Sequence, residues 1–259
     1  MSAMKSLLLN DVRSFFLDVN GVTRFIGLFF RNLFRGRFEF KEFINQCFRA
    51  GYQSLLLITV TAIILGLVLT IQIIPVMAAL GAEARIPNIV FISVITELGP
   101  VIIALLFAGK VGSGMGAELS SMRVTDQIDA MEVSATHPVK FLVVTRVLAS
   151  TLTLPLLVIY GYLMAFLGSF IGLLANSNIS FRLFYNRAFD PFYFSDLFPA
   201  IIKTVVFGFF IGIISCYMGY YSDKGTEGVG RSANTAVVAS SLMVFLLDLI
   251  TVQITDLIL

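Results

Sequence analysis

Residues 51–80 read GYQSLLLITVTAIILGLVLTIQIIPVMAAL and contain no charged side chain. A bilayer core of about 30 Å is crossed by roughly 20 apolar residues in a helix, because lipid offers no partner to unpaired backbone groups. This stretch is long enough to span a membrane. The whole chain is 58% hydrophobic and 13% charged, whereas soluble domains carry about 25% charged residues. We therefore expect an all-α, polytopic membrane protein.

Four further stretches satisfy the same length criterion, at residues 86–108, 141–175, 197–221 and 233–254. With residues 51–80 they predict about five transmembrane helices within a membrane domain at 51–259, preceded by a separate N-terminal region at 1–50. An odd number of spans places the two termini on opposite sides of the membrane.

Lysine and arginine predict the orientation, because positively charged loops stay in the cytoplasm. Of the 18 such residues, eight precede residue 50, four lie within 110–146 and two within 224–231. The opposite face has only Arg85, Arg182 and Arg187. We expect a cytoplasmic N-terminus and a C-terminus on the far side.

The N-terminal region contains an amphipathic helical stripe. Apolar residues recur with helical spacing at Val22, Phe25, Ile26, Phe29, Phe30, Leu33 and Phe34, and Arg24, Arg31, Arg35 and Arg37 flank them. This pattern is typical of a helix in the headgroup plane of an anionic leaflet. A helix packed on the membrane spans is the alternative interpretation.

Catalytic and cofactor motifs are lacking. The segment Gly109–Gly114 is the closest sequence match to a phosphate-binding loop, but it lacks the upstream glycine and the Ser or Thr after lysine. One histidine and two distant cysteines support neither a metal site nor a disulfide framework. We expect no enzyme activity and no cofactor in this chain, and the charge distribution gives no indication of nucleic-acid binding.

The segment 116–133 is predicted to be a short amphipathic cytoplasmic helix between two spans, with Thr125 capping the turns that carry Asp126 and Asp129. Its charged residues, Glu118, Arg123, Asp126, Asp129 and Glu132, are candidates for contact with a partner, and Met122 lies on its apolar face. A loop helix that lies on its own membrane domain is the alternative.

Three charges fall well inside predicted spans, at Glu97, Lys203 and Asp248, while Arg146 lies near the start of the third span. Each costs about 2.5–3.5 kcal/mol to insert, so such groups tend to face a cavity or one another. We expect either a polar site or an ion pair that holds the bundle. Glycine pairs at i, i+4 (112 and 116, 168 and 172, 208 and 212) predict close helix packing and a dimer.

The chain resembles the MlaE (YrbE-like) permease family. The residues that carry the resemblance are Glu97–Pro100, Ala108–Ser113, Ala117–Leu119, Met122–Val133, Pro138, Arg146, Leu154–Leu156, Lys203–Gly208, Gly225–Arg231, Val237–Ser241 and Asp248. Thr96 stands where some members carry arginine. The match covers most of the chain from Gly51 onward.

The resemblance implies the permease subunit of an ABC-type phospholipid transporter of the bacterial inner membrane, which maintains outer-membrane lipid asymmetry. It implies a homodimer, a separate cytoplasmic ATPase that holds ATP and Mg, a periplasmic MCE-domain protein, a STAS-domain protein, and a periplasmic C-terminus. The segment 116–133 becomes the helix that couples to the ATPase. The implied lipid cavity is lined by Leu69, Gln72, Ile73, Val76, Glu97, Leu98, Lys203 and Asp248. A passive scaffold or channel, or a permease for sterols or other hydrophobic solutes, is the alternative.

Overall fold

The computed structural model of this chain describes residues 20–34, 38–134, 136–176, 179–190, 194–223 and 225–258. Within these residues the chain is helical, with short turns and no strand. The helices are α1 (20–33), α2 (Phe40–Ala79), α3 (Ile86–Ser93), α4 (Gly99–Phe107), α5 (Ser113–Val124), α6 (Gln127–Val133), α7 (Thr145–Asn176), α8 (Phe181–Ala188), α9 (Phe194–Tyr220) and α10 (Thr226–Ile258).

Five helices of the described chain are long and apolar enough to cross a membrane, which confirms a polytopic membrane fold. They are Phe40–Ala79, Glu83–Val124, Val139–Asn176, Leu197–Tyr220 and Thr226–Thr255. Several of these helices are longer than a bilayer core of about 30 Å. The 40 residues of α2, for example, extend about 60 Å at 1.5 Å per residue. The ends of these helices therefore protrude into the polar regions on either side.

The second span differs most from its predicted bounds. It was expected to end at residue 108, but the helix continues through α5 to Val124. Two π-helical turns, Val94–Leu98 and Ala108–Gly112, join α3 to α4 and α4 to α5 without breaking the rod. A third π-helical turn, Val139–Val144, leads into α7.

The π-helical turn at Val94–Leu98 is stabilised by a side chain from α7. Gly99 N–H bonds to the Val94 carbonyl five residues earlier, and the next residue, Pro100, has no N–H for the Ile95 carbonyl. Tyr162 Oη donates to that carbonyl at 2.9 Å. An orphaned backbone acceptor within the membrane is thereby satisfied.

Small residues pack the spans against each other inside one chain. A Cβ at Gly168 would collide with the Ile63 carbonyl of α2, and one at Gly208 would lie 2.6 Å from the Ser150 carbonyl of α7. Gly112 and Gly116 face Ser215 of α9 and Ala236 of α10 in the same way. The predicted glycine pairs thus serve packing within the protomer, and the dimer stays a prediction.

The helix α1 packs its apolar stripe on the end of α9. Phe25 and Phe29 are 1% and 2% exposed, and their rings lie 5.7 Å from Tyr217 and 5.5 Å from Phe209 respectively. Phe34, at the end of the stripe, is 84% exposed. Arg24 and Arg31 are exposed as well, while Arg35 and Arg37 lie outside the described residues. The amphipathic helix is therefore packed on the spans and still presents apolar and basic groups outward.

We predict that Tyr162→Phe destabilises the fold, because it leaves the Ile95 carbonyl unpaired in the membrane interior. A cost of about 1–3 kcal/mol is expected for an orphaned buried acceptor, measured as a lower thermal unfolding midpoint in detergent. Tyr160→Phe is the matched control. Its hydroxyl contacts Thr59 at 2.7 Å, but Thr59 keeps its bond to the Leu55 carbonyl. Equal midpoints for the two variants would contradict the role of Tyr162.

Candidate functional site

The three intramembrane charges converge from three different spans. Lys203 of α9 donates to Glu97 Oε2 at 2.9 Å and to Asp248 Oδ1 at 2.8 Å. Glu97 lies in the π-helical turn of the second span, and Asp248 lies on α10. We call these three residues the charge triad. It ties the second, fourth and fifth spans together.

The charge triad is not closed on all sides. The Lys203 side chain is 6% exposed and that of Asp248 is 14% exposed, but the Glu97 side chain is 43% exposed. With all three groups ionised, two carboxylates face one ammonium and the triad carries one net negative charge. A half-exposed carboxylate within a span needs water, a ligand or a second protein surface, because hydrocarbon solvates it poorly. The triad is therefore both an internal ion pair and an open acceptor.

The other predicted cavity residues fall into two environments. Leu69 and Ile73 of α2 pack partly against the apolar core, whereas Gln72 and Val76 on the same helix are exposed. Leu98, next to Glu97, is half-buried. Within the described chain, no hydrogen bond joins Gln72 to the charge triad. The structure thus assembles Glu97, Lys203 and Asp248, and the place of the α2 residues in a cavity stays a prediction.

The predicted coupling segment is two helices instead of one. Asp126, with φ 54°, adopts the left-handed conformation, which Asp tolerates better than most residues. This turn separates α5 from α6. Thr125 does not cap α6, since its hydroxyl donates to the Ser121 carbonyl at 2.9 Å. The prediction of a single helix over 116–133 was therefore wrong.

Buried apolar residues fix α5 and α6 to the membrane domain. Leu119 and Ile128 are both 0% exposed, in a cluster with residues of α1, α7 and α9, and Met122 packs against it. Arg123 pairs with Asp129 across the turn. The outward surface that remains carries Asp126, Glu132 and Val133.

Glu118 is paired with two arginines inside the chain, and its side chain is still 41% exposed. Its carboxylate contacts Arg146 of α7 at 3.0 Å and Arg49 of α2 at 3.2 Å. The Arg146 side chain is 2% exposed and also donates to the Leu142 carbonyl. Sequence reasoning counted Arg146 as a positive charge near the start of the third span and as a match to the family, and did not pair it with Glu118. An arginine at the start of a long apolar run was the available signal that it is buried and paired.

Comparison with known proteins identifies the family. A sequence model described as Permease MlaE matches residues 43–254. The chain is a member of the MlaE permease family. This confirms the resemblance drawn from the sequence.

Several relatives of this MlaE permease bear names of transport proteins. A probable ABC transporter permease protein of Rickettsia typhi is 37% identical over 203 residues, which cover 78% of each chain. One of a Synechocystis strain is 36% identical over 223 residues, or 85% of this chain and 84% of that protein. Protein TRIGALACTOSYLDIACYLGLYCEROL 1, chloroplastic, of Arabidopsis thaliana is 32% identical over 84% of this chain and 62% of its own length. The chain is thus a multi-pass membrane permease subunit, and its ABC transporter relatives imply an ATPase partner.

We predict that Glu118→Ala destabilises this MlaE permease by about 3 kcal/mol, because it strands the buried Arg146 charge. Arg49→Gln, which removes a half-exposed partner of the same carboxylate, should cost less than about 1 kcal/mol. Thermal unfolding of the purified variants measures both. The double variant Glu118→Ala/Arg146→Met should regain much of the loss, since an apolar replacement of a whole buried pair is often near neutral. A double variant no more stable than Glu118→Ala would contradict this account.

Proposed function

We propose that this chain is the permease subunit of an ATP-driven phospholipid transporter in the bacterial inner membrane, with its N-terminus in the cytoplasm and its C-terminus in the periplasm. In this proposal two copies form a lipid cavity, and a separate cytoplasmic ATPase holds ATP and Mg. A periplasmic MCE-domain protein and a STAS-domain protein complete the assembly. Its role is to move phospholipid between the inner and outer membranes and so maintain outer-membrane lipid asymmetry.

The observation that carries the proposal is the half-exposed carboxylate of Glu97 in an apolar setting. Glu97 lies beside Asp248, and the neighbouring residues of α10, Phe245 and Leu249, are 53% and 58% exposed. A ligand that matches this surface has a hydrogen-bond donor or a positive group at one end and hydrocarbon at the other. Phospholipids with an ammonium or hydroxyl in the headgroup meet both requirements. The Arabidopsis relative carries the name of a galactosylated glycerolipid, which favours a diacyl glycerolipid as the substrate.

A second copy of the chain supplies the opposite wall of the cavity in this proposal. The helix α10 leaves an apolar face open beside Asp248, formed by Val238, Leu242, Phe245, Leu246, Leu249 and Ile250. A two-fold axis close to this face would place two charge triads on facing sides of one slot. The exposed Gln72 and Val76 of α2 are available to the rim of such a slot.

In this proposal the ATPase moves the walls of the cavity through the second span, which is one continuous helix. The helix α6 is fixed to α5 through buried Ile128 and the Arg123–Asp129 pair. The helix α5 continues without a break into the π-helical turn that carries Glu97. A push on α6 by an ATPase would thus be transmitted along one rod to the charge triad, as a rigid-body displacement.

We predict that Glu97→Gln abolishes most lipid transport without unfolding the protein. The variant keeps Lys203 paired with Asp248, so its unfolding midpoint should stay close to that of the wild type. Transfer of labelled phospholipid by the complex reconstituted with its ATPase should fall at least about tenfold, the effect of losing one charge-assisted hydrogen bond. Wild-type transfer by a stably folded Glu97→Gln protein would reduce the charge triad to a structural ion pair and would contradict its proposed contact with the lipid.

We predict that Asp126→Asn/Glu132→Lys weakens binding of the ATPase. Both side chains are exposed on the outward surface of α5 and α6, and Asn tolerates the left-handed backbone of position 126 as Asp does. The two changes should therefore leave the fold intact and remove attraction to a basic partner surface. Co-purification of the two subunits and lipid-stimulated ATP hydrolysis are the measurements. Asp223→Lys, an exposed carboxylate in the turn between α9 and α10, is the matched control. Equal ATPase retention by all three proteins would contradict docking at α6.

A further inference from the structure

A polar cavity whose lining includes no residue of the charge triad lies between α2 and the second span. It has a volume of about 250 Å³. Its lining consists of Gln46, Arg49, Ala50, Gln53, Lys110, Val111, Gly114, Met115 and Glu118. Ligand pockets for drug-sized molecules measure about 300–1,000 Å³, so this cavity has room for a small polar group and not for two acyl chains.

The cavity contains two cations from two spans. Arg49 comes from α2, and Lys110 comes from the π-helical turn Ala108–Gly112. The carboxylate of Glu118 is shared between Arg49 and the buried Arg146, so it cannot neutralise both of them and Lys110. Among the described residues, neither the Lys110 ammonium nor the Gln53 amide has a hydrogen-bond partner. The cavity therefore has surplus positive charge and free donors.

The position of the cavity corresponds to the edge of the bilayer. Arg49 directly precedes the uncharged run 51–80, and Lys110 directly follows the uncharged run 98–109. The two spans are antiparallel here, so both cations lie at the same membrane boundary. Exposed Phe48 and Tyr52 stack at 5.2 Å on the same turn of α2, and aromatic rings are enriched at headgroup level.

A glycine keeps the cavity open. Gly114 lines it, and a Cβ built at this residue would meet no atom within 4 Å. A side chain at position 114 would therefore project into empty space instead of forcing helices apart. This provides a way to fill the cavity without disturbing the packing of α5.

We propose that this cavity binds the phosphate of an anionic phospholipid headgroup from the adjacent leaflet. Arg49 and Lys110 supply charge-assisted hydrogen bonds, with Arg as the geometrically matched partner of a phosphate. The acyl chains then lie along the exposed apolar face of α2, outside the cavity. The site is separate from the charge triad and does not depend on the transport role proposed above.

The test is native mass spectrometry of the full-length purified chain in micelles titrated with phosphatidylglycerol. Wild-type protein should retain one lipid per chain. Lys110→Gln, which loses one charge-assisted hydrogen bond, and Gly114→Leu, which fills the cavity, should each bind this lipid at least about tenfold more weakly. Arg231→Gln removes an exposed cation elsewhere, and Gly230→Leu adds a side chain at another open glycine. Both controls should bind as the wild type does.

Two further arms separate the alternatives. Glu97→Gln should keep this lipid, because the site does not involve the charge triad. Loss of the lipid from the Glu97→Gln protein would assign the lipid to the transport cavity and overturn the proposal. Inorganic phosphate is titrated against the same proteins, and saturable binding of phosphate without retained phosphatidylglycerol would overturn the lipid assignment. Wild-type lipid retention by both Lys110→Gln and Gly114→Leu would likewise contradict the proposal. Arg49→Lys preserves the charge but loses the paired N–H groups that match a phosphate, so it should bind the lipid more weakly than the wild type and more tightly than Arg49→Gln.

Discussion

The ammonium of Lys203, held between Glu97 and Asp248, is the interaction on which the arrangement of the membrane domain depends. Three spans each contribute one charged group, and none of these groups would be stable in hydrocarbon alone. Their convergence therefore restrains how the second, fourth and fifth spans can pack. One ammonium cannot fully satisfy two carboxylates, so the same contact that holds the bundle together leaves an acceptor open at Glu97.

The second span connects this intramembrane site to the polar end of the protein. From residue 86 to residue 124 it is one rod, interrupted only by π-helical turns, and π-helical turns are frequent at functional sites. One turn positions Glu97 and the next positions Lys110. The side chains proposed to bind ligands thus occur where the helix departs from its regular hydrogen bonding. Tyr162 satisfies the backbone carbonyl that the first turn would otherwise leave without a partner.

Hydropathy predicted the number of spans and the class of fold well, because a long charge-free run such as 51–80 has few stable conformations other than a transmembrane helix. It underestimated the length of the second span, since the helix continues past the membrane through glycines and polar residues that no hydropathy average marks as helical. The partner of Glu118 was also beyond prediction, because Arg146 lies on a different helix and only tertiary packing brings the two together. The glycine pairs were recognised correctly as packing positions, but sequence alone cannot tell a contact within a chain from a contact between chains.

The charge triad could be anticipated as a group, since three isolated charges in spans must find partners. The sequence could not predict which of the two carboxylates stays exposed, because exposure depends on how α9 and α10 cover Lys203 and Asp248. That difference in exposure is what distinguishes a site from a simple ion pair. The pairing with Lys203 explains how a membrane permease can retain charged residues in its membrane interior without losing stability.

The most direct test of this account is a cryo-electron microscopy structure of the chain in lipid nanodiscs together with its ATPase. The account predicts two copies with their α10 faces opposed and a lipid headgroup within hydrogen-bond distance of Glu97. A structure in which Glu97 is covered by protein side chains, with no lipid between the two copies, would contradict it.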